Sequence, residues 1–360
     1  MNKYRINGLP WASGIGTNVT DCRTAKEVME KANLNFGVSK CKVSATMPIN
    51  LFNNNIDVDN LGQTDFIKDG NLHVNIPDAY ATYRTDNYVP LGLVKSKYEV
   101  VQNTDAFSFF DEAIGIDNCN WQYAGSFGFG ERVFVVAKIG MSSNVRINNF
   151  KDSVDNYLVF VNSHDGSGSL TVMFTPVRFF CLNCLNAALS KNSANFRLRH
   201  TTTVNSRLHK GSEILKMTYE YAQSANELYN GLGKITMKDN EVLEYITSLV
   251  LDMKEKLSLL NYDYVNGYTK LLNRDINCLE ATDISMRKAN TIANMYDYYF
   301  NGVEQTPILG TAWGAYNAIT GYYSNVANLE GEKRMDSLLF GNAQNVTQNA
   351  LSFYKSYKVA

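Results

Sequence analysis

The hydrophobic pattern of the chain changes its period partway along, and this change limits the folds open to it. From about residue 81 to 180 the apolar residues form short β-rich runs separated by glycine-containing turns, which predicts strands joined as hairpins. From residue 211 onward they recur every three or four positions, which predicts amphipathic helices. The pattern therefore favours an α+β fold, with a mostly antiparallel sheet in the N-terminal and central half and a largely helical C-terminal half.

The same pattern divides the chain into four regions. Residues 1–80 are rich in Asn, Gly and Asp and predict an irregular N-terminal region packed on the core, in which two short apolar runs could be strands. Residues 81–189 predict a β-rich core with hairpins and a connecting helix. Residues 190–210 predict a basic connector, and residues 211–360 predict the helical region.

Composition indicates the class of protein and its compartment. The chain has 360 residues, of which 45% are apolar and 19% charged, as expected for a soluble globular protein of one large domain or two lobes. It shows neither a signal-type apolar segment at its start nor a run of 18 apolar residues, so we expect a cytoplasmic protein without a membrane span. Its six cysteines are dispersed, which favours a reducing compartment.

The segment NSHDGSGS, residues 162–169, is the first candidate site. The pair Asp165-Gly166 suits a tight hairpin turn. In one interpretation His164 and Asp165 only stabilise that turn. In the other, the turn presents His164 and serine hydroxyls, Ser167 among them, to a phosphate or a base edge.

The strand after this turn carries an arginine beside two cysteines. Arg178 follows apolar strand residues, so it either faces the other side of the sheet or pairs with an acid such as Asp165. Cys181 and Cys184 have the spacing of one helical turn and lack a second Cys or His pair. We therefore expect them to be buried, reduced and free of metal, and their apolar neighbours disfavour a nucleophilic Cys181–His164 pair.

The stretch 190–217 carries a local excess of positive charge. Its basic residues, against the single acid Glu213, are Lys191, Arg197, Arg199, Arg207, Lys210 and Lys216. Such an excess in an otherwise balanced chain predicts contact with phosphates, and Phe196 could stack on an exposed base. A solvated linker between sheet and helices remains the alternative.

Six motifs in order, together with Trp11 in GLPWASGIG, resemble a known family. The motifs are YVPLGLVKSKYEVVQN, AGSFGFGERVFVVAKI, NSHDGSGS, TPVRFFCLNCL, RHTTTVNSRL and GTAWGAYNAITGYY. They are similar to the phage/plasmid-like family, a domain of unknown function from bacteriophages and mobile elements. The resemblance implies such an origin and supplies no activity. Hairpins followed by a helix also resemble phage single-strand annealing proteins.

The leading hypothesis is a phage-encoded nucleic-acid-binding protein in the cytoplasm of an infected bacterial host. It would bind single-stranded DNA for annealing, recombination or replication, and it would be able to form a homo-oligomer. It would need no cofactor, metal or catalytic residue. The predicted binding residues are His164, Asp165, Ser167, Arg178, Phe196, Arg197, Arg199, His200, Arg207 and Lys210. Two alternatives remain: a host-interaction or counter-defence protein that binds a protein partner, and a nucleotide or nucleic-acid enzyme that uses His164, Asp165 and Arg178.

Overall fold

The structure is a computed structural model. It describes residues 8–12, 14–49, 62, 65–114, 119–178, 181–182, 195–200 and 211–357. The strands are β1 (Gly16–Asn18), β2 (Val38–Pro48), β3 (Phe66–Lys68), β4 (Asn71–Arg84), β5 (Pro90–Val94), β6 (Cys119–Phe127), β7 (Arg132–Ile139), β8 (Ser143–Ile147), β9 (Phe150–Ser163), β10 (Leu170–Arg178), β11 (Cys181–Leu182) and β12 (Asn195–Leu198). The α-helices are α1 (Ala25–Lys31), α2 (Asn103–Ile114), α3 (Gly211–Gly233), α4 (Asp239–Val250), α5 (Met253–Tyr262), α6 (Gly267–Leu272), α7 (Ile276–Thr282), α8 (Met286–Asn301), α9 (Ala312–Asn325), α10 (Gly331–Leu339) and α11 (Asn342–Tyr357).

These elements confirm the expected α+β class. Strands lie in the N-terminal and central half, helices fill the C-terminal half, and every strand pairing in the described residues is antiparallel. No helix in the described parts of the chain is long and apolar enough to cross a bilayer.

The main sheet has the order β1-β6-β7-β9-β10-β11. Two further strands join it, since β8 pairs with the first half of β9 and β12 pairs with the first half of β10. The second half of β9 pairs with β7. As a result, the turn between β9 and β10 lies at the end of the sheet where β7 and β12 flank these two strands.

Both faces of the main sheet are buried, as the near-continuous apolar run of β7 leads one to expect. Alternate residues such as Val133 and Val135 face a large core shared with α2 and the C-terminal helices. The residues between them, such as Phe134, face a smaller core that contains Trp11 and Leu338. The residues of this smaller core do not cover the whole face of the sheet against which they pack. The candidate site lies at the uncovered end, beside the connection between β9 and β10.

A second sheet has the order β2-β4-β3, with β5 also paired to β4. The chain before residue 85 therefore contains two long strands, β2 and β4, of 11 and 14 residues, where we expected a mostly irregular region. Most residues of β2 are exposed or only half-buried, so the strand lacks the apolar alternation by which strands are recognised. The segment NLFNNNIDVDN, residues 50–60, lies outside the described residues.

Helix α9, from the motif GTAWGAYNAITGYY, lies at the centre of the helical half. Most of its residues are buried. Gly321 allows α8 to approach closely, because a Cβ at this position would lie 2.1 Å from the ring of Tyr298. A larger residue at 321 would force the two helices apart.

Candidate functional site

The connection between β9 and β10 is a loop of residues 164–169, longer than the tight hairpin turn expected from Asp165-Gly166. The Asp165 carboxylate accepts hydrogen bonds from the backbone N–H of Ser167 (2.9 Å) and from its hydroxyl (2.7 Å), and Gly166 has a φ of +77°, which suits glycine. Strand β5 lies against the turn, since a Cβ on Gly92 would come within 2.4 Å of the Asp165 Cα. The turn is therefore held by a second element as well as by its own bonds.

His164 is buried behind this turn, so the interpretation in which the turn presents its imidazole to a ligand is wrong. Its side chain is 0% exposed, and its Nε2 lies 2.8 Å from Asn103 Oδ1. The Asn103 amide donates to the carbonyl of Leu34, so its oxygen is left to accept from Nε2–H. Burial, with a smaller effect from His200, lowers the pKa of His164 to about 3. The imidazole is therefore neutral at ordinary pH.

Arg178 does have an acidic partner, but it is Asp152 rather than Asp165. The Arg178 Nε lies 2.5 Å from Asp152 Oδ2, and both side chains are almost fully buried. Trp313 Nε1 donates to the same oxygen at 2.6 Å. Arg178 stands at the end of β10 opposite the turn, roughly 26 Å away at 3.3 Å per residue. This arginine joins the sheet to α9 and does not share a site with His164 or Asp165.

A polar cavity of about 1000 Å³ opens at the turn end of the main sheet. Its floor follows from the strand register. Phe134, Val161, Thr171 and Arg197 are paired in one row across β7, β9, β10 and β12, and residues paired in this way share a face of the sheet. That face also carries the smaller core. The cavity therefore lies on the same face of the sheet, beyond the residues that cover the smaller core.

Three arginines line this space, which we call the arginine cavity after Arg132, Arg197 and Arg199. Arg132 pairs with Asp336 of α10 at 2.6 Å, which neutralises its charge. Arg197 and Arg199 are exposed and flank the buried Leu198, as alternation along a strand requires. Among the described residues, neither Arg197 nor Arg199 forms an ion pair or a side-chain hydrogen bond.

An aromatic pair forms another wall of the arginine cavity. The rings of Tyr98 and His200 are stacked, with centroids 4.9 Å apart. The Tyr98 hydroxyl donates to the carbonyl of Ser163 (2.7 Å), and His200 Nδ1 lies 3.1 Å from the carbonyl of Glu99. Burial lowers the pKa of His200, although the Glu99 carbonyl and Asp165 oppose this shift. The ring is therefore a neutral wall of the cavity at ordinary pH.

The predicted residues divide into three groups. Ser167, Arg197, Arg199 and His200 do come together around one cavity. His164, Asp165 and Arg178 have the roles within the fold given above. Of Phe196 only the strand position is described, opposite Val172, while Arg207 and Lys210 lie outside the described residues.

Sequence reasoning missed the cavity residues Tyr98, Arg132 and Phe340. Arg132 is the first residue of a strand, and only its pairing with Ser163 places it beside the turn. Phe340 directly follows α10, more than a hundred residues after β12. No local pattern signals either position, because both depend on tertiary packing.

The cysteine motif differs from its predicted structure. Cys181 lies in β11, where it is paired with Arg178 of the antiparallel strand β10, so it is not part of a helix. Cys184 lies outside the described residues. Within the described residues, no group of three or more His, Cys, Asp or Glu side chains is placed to hold a metal ion.

Neither a curated protein nor a solved structure matches the chain. Residues 90–351 match the model of a family described as a domain of unknown function, DUF932. This match includes β5 to α10 and every residue of the arginine cavity, and it covers well over half of the chain. The chain therefore belongs to the DUF932 family.

Proposed function

We propose that the chain is a nucleic-acid-binding protein that holds single-stranded DNA in the arginine cavity. The observation that carries this proposal is the pair Arg197 and Arg199, exposed on the cavity wall without a carboxylate partner among the described residues. Arginines that are exposed and unpaired can contact phosphates without first breaking an ion pair. The cavity adds the Ser169 hydroxyl, a common neutral partner of phosphate oxygens. The hydroxyls of Ser167 and Thr171 already donate to Asp165 and to the Ser169 carbonyl.

The aromatic side chains favour a single strand over a duplex. Tyr98 and Phe340 line the cavity beside the arginines, and unstacked bases bind proteins largely by stacking on such rings. In a duplex the bases are already stacked on each other, so these rings would gain little. Annealing or recombination would use this same strand-binding step.

The nucleic-acid enzyme is a weaker alternative because its residues are separated. His164 is buried and neutral, and Arg178 is held by Asp152 at the other end of β10. A catalytic group must lie within hydrogen-bonding reach of the atom on which it acts. We infer no catalytic step from these residues.

The origin and compartment belong to the same proposal. The ordered motifs that resemble the phage/plasmid-like family support an origin in a bacteriophage or another mobile element. A protein of that origin that handles single-stranded DNA would act in the cytoplasm of the bacterial host.

Equilibrium binding of labelled oligonucleotides tests the proposal. We expect the protein to bind single-stranded DNA more tightly than duplex of the same sequence, and we expect R197A/R199A to weaken that binding. The matched control is R146A/K151A, which removes two exposed cations paired in register at the β8–β9 hairpin, roughly 40 Å along β9 from the turn. The proposal fails if the parent protein binds neither form of DNA or if the two variants bind alike.

A second candidate function, binding of a protein partner, is supported by apolar side chains exposed between residues 253 and 286. Met253, Tyr264, Val265 and Ile276 are each more than 60% exposed, which is unusual for large apolar residues gathered in one short stretch. A complex with a host protein that is insensitive to salt, in the absence of DNA binding, would favour this candidate over the first.

A further inference from the structure

The shape of the arginine cavity suits the end of a strand better than its middle. Strands β9 and β10 form the floor, while Arg132 on β7 and Arg197 on β12 stand on either side, about 14 Å apart at three strand spacings. The segment Gly166–Ser169 lines the cavity at the turn, and Phe340 lines it beside α10. A volume of about 1000 Å³ is at the upper end of the range for small-molecule pockets. It is large enough to hold a nucleotide unit at the end of a strand.

The positive charge of the cavity suits a terminal phosphomonoester better than a phosphodiester within a strand. Asp336 neutralises Arg132, so Arg197 and Arg199 supply the uncompensated positive charge among the described lining residues. Asp165 is not itself a lining residue, but it accepts from the lining residue Ser167 and its negative charge acts on Tyr98 and His200 of the cavity wall. A phosphodiester within a strand carries one negative charge, whereas a phosphomonoester carries close to two at pH 7. Two free guanidinium groups therefore match a phosphomonoester better.

A neutral donor lies beside the same space. The Thr171 hydroxyl donates to the carbonyl of Ser169 (3.0 Å), so of these two hydroxyls, which lie 3.3 Å apart, that of Ser169 is left to donate to a ligand. Gly168 keeps the turn against the floor, because a Cβ at this position would lie 2.5 Å from Ser163 Oγ. A hydroxyl group beside arginines adds to the kind of donor set that the three terminal oxygens of a phosphomonoester accept from.

We propose that the arginine cavity binds a phosphomonoester, presented as the phosphorylated end of a DNA strand. The assignment to a strand end rests on the proposed function. A free nucleotide carries the same group, so the phosphate chemistry is common to both sources. Arg197 and Arg199 bind the terminal phosphate, and the aromatic wall takes the adjoining base.

The test compares probes that differ only at their ends. One single-stranded sequence is prepared with a 5′-phosphate, with a 3′-phosphate, with hydroxyl groups at both ends and as a closed circle, and thymidine monophosphate is titrated separately. Hydrogen bonds between a guanidinium and a phosphate are charge-assisted and roughly twice as strong as neutral ones. We therefore expect one phosphorylated form to bind at least about tenfold more tightly than the hydroxyl-ended or circular form.

Two variants test whether Arg197 and Arg199 cause the preference for a phosphorylated end. R197A/R199A should bind all linear and circular forms alike, whereas the R146A/K151A control should keep the preference for the phosphorylated end. Both pairs are exposed, and thermal unfolding of each variant verifies that it is folded.

Each outcome decides between the two proposals. Equal affinity of the parent protein for circular and end-phosphorylated DNA overturns end recognition and leaves strand binding in place. Binding of thymidine monophosphate without binding of any strand supports the phosphomonoester site and overturns the proposed function. Binding of no probe at all overturns both.

Discussion

Replacing Arg178 by methionine should destabilise the protein severely, because the buried Asp152 would lose its counter-ion. Arg178 is 1% exposed and Asp152 is 0% exposed. In the variant, Asp152 Oδ2 would keep only the bond from Trp313 Nε1, and Oδ1 has no partner in the part of the chain that is described. The carbonyl of Glu304 would also lose the hydrogen bond that Arg178 Nη2 donates at 2.6 Å.

The magnitude follows from this burial. Breaking a buried ion pair by removing one partner costs about 3–5 kcal/mol, a large part of the roughly 5–15 kcal/mol that stabilises a folded domain. Urea unfolding monitored by tryptophan fluorescence and by far-ultraviolet circular dichroism measures the loss. Arg146→Ala, an exposed arginine on β8, is the control and should change the free energy of unfolding by less than about 0.5 kcal/mol.

A double variant separates the missing charge from the missing contacts. R178M/D152L removes both charges, and replacing a buried pair by apolar residues of similar volume is often close to neutral. We therefore expect the double variant to be more stable than R178M alone. The reasoning is refuted if R178M loses less than about 1 kcal/mol, or if D152L adds to its loss.

Three further predictions concern pH, packing and metal. His164 has a pKa of about 3 in the folded protein against 6.5 in the unfolded chain. The unfolded state therefore takes up the proton first, and the free energy of unfolding should fall by up to about 1.4 kcal/mol per pH unit as the pH falls from 6.5 to about 3. An unchanged slope in His164→Gln would contradict this. Gly92→Ala should cost about 1–3 kcal/mol in urea unfolding, because its Cβ would meet the Asp165 backbone at 2.4 Å, and a variant as stable as the parent would disprove that contact. Elemental analysis of the purified protein should find no stoichiometric zinc, whereas zinc that is lost on Cys184→Ser would show that the cysteine motif binds metal.

Local patterns predicted the elements that depend on neighbouring residues. The Asp165-Gly166 turn follows from the preference of glycine for positive φ and of aspartate for bonding the backbone two residues on. The helices after residue 211 follow from their apolar periodicity. Only two short runs before residue 81 were expected as possible strands. The full lengths of β2 and β4 were missed, because these strands have few buried residues and are held mainly by pairing with each other.

The environment of the polar residues could not be predicted in this way. His164 stands in a polar segment that looks exposed, yet Asn103 from α2 and Thr82 from β4 cover it. Arg178 pairs with Asp152, 26 positions earlier in the chain. Asn103 lies on a helix and Asp152 on the neighbouring strand β9, so each contact depends on how whole elements pack, which no short segment of sequence shows.

The salt dependence of single-strand binding tests the central claim most directly. For single-stranded DNA, log K falls with log salt concentration with a slope of about −0.7 for each phosphate contacted by a cation. R197A/R199A should make the slope less negative by about 1.4 if Arg197 and Arg199 contact two different phosphates, and by about 0.7 if both bind one terminal phosphate. R146A/K151A should leave the slope of the parent unchanged. A double-arginine variant with the affinity and slope of the parent protein would contradict the account.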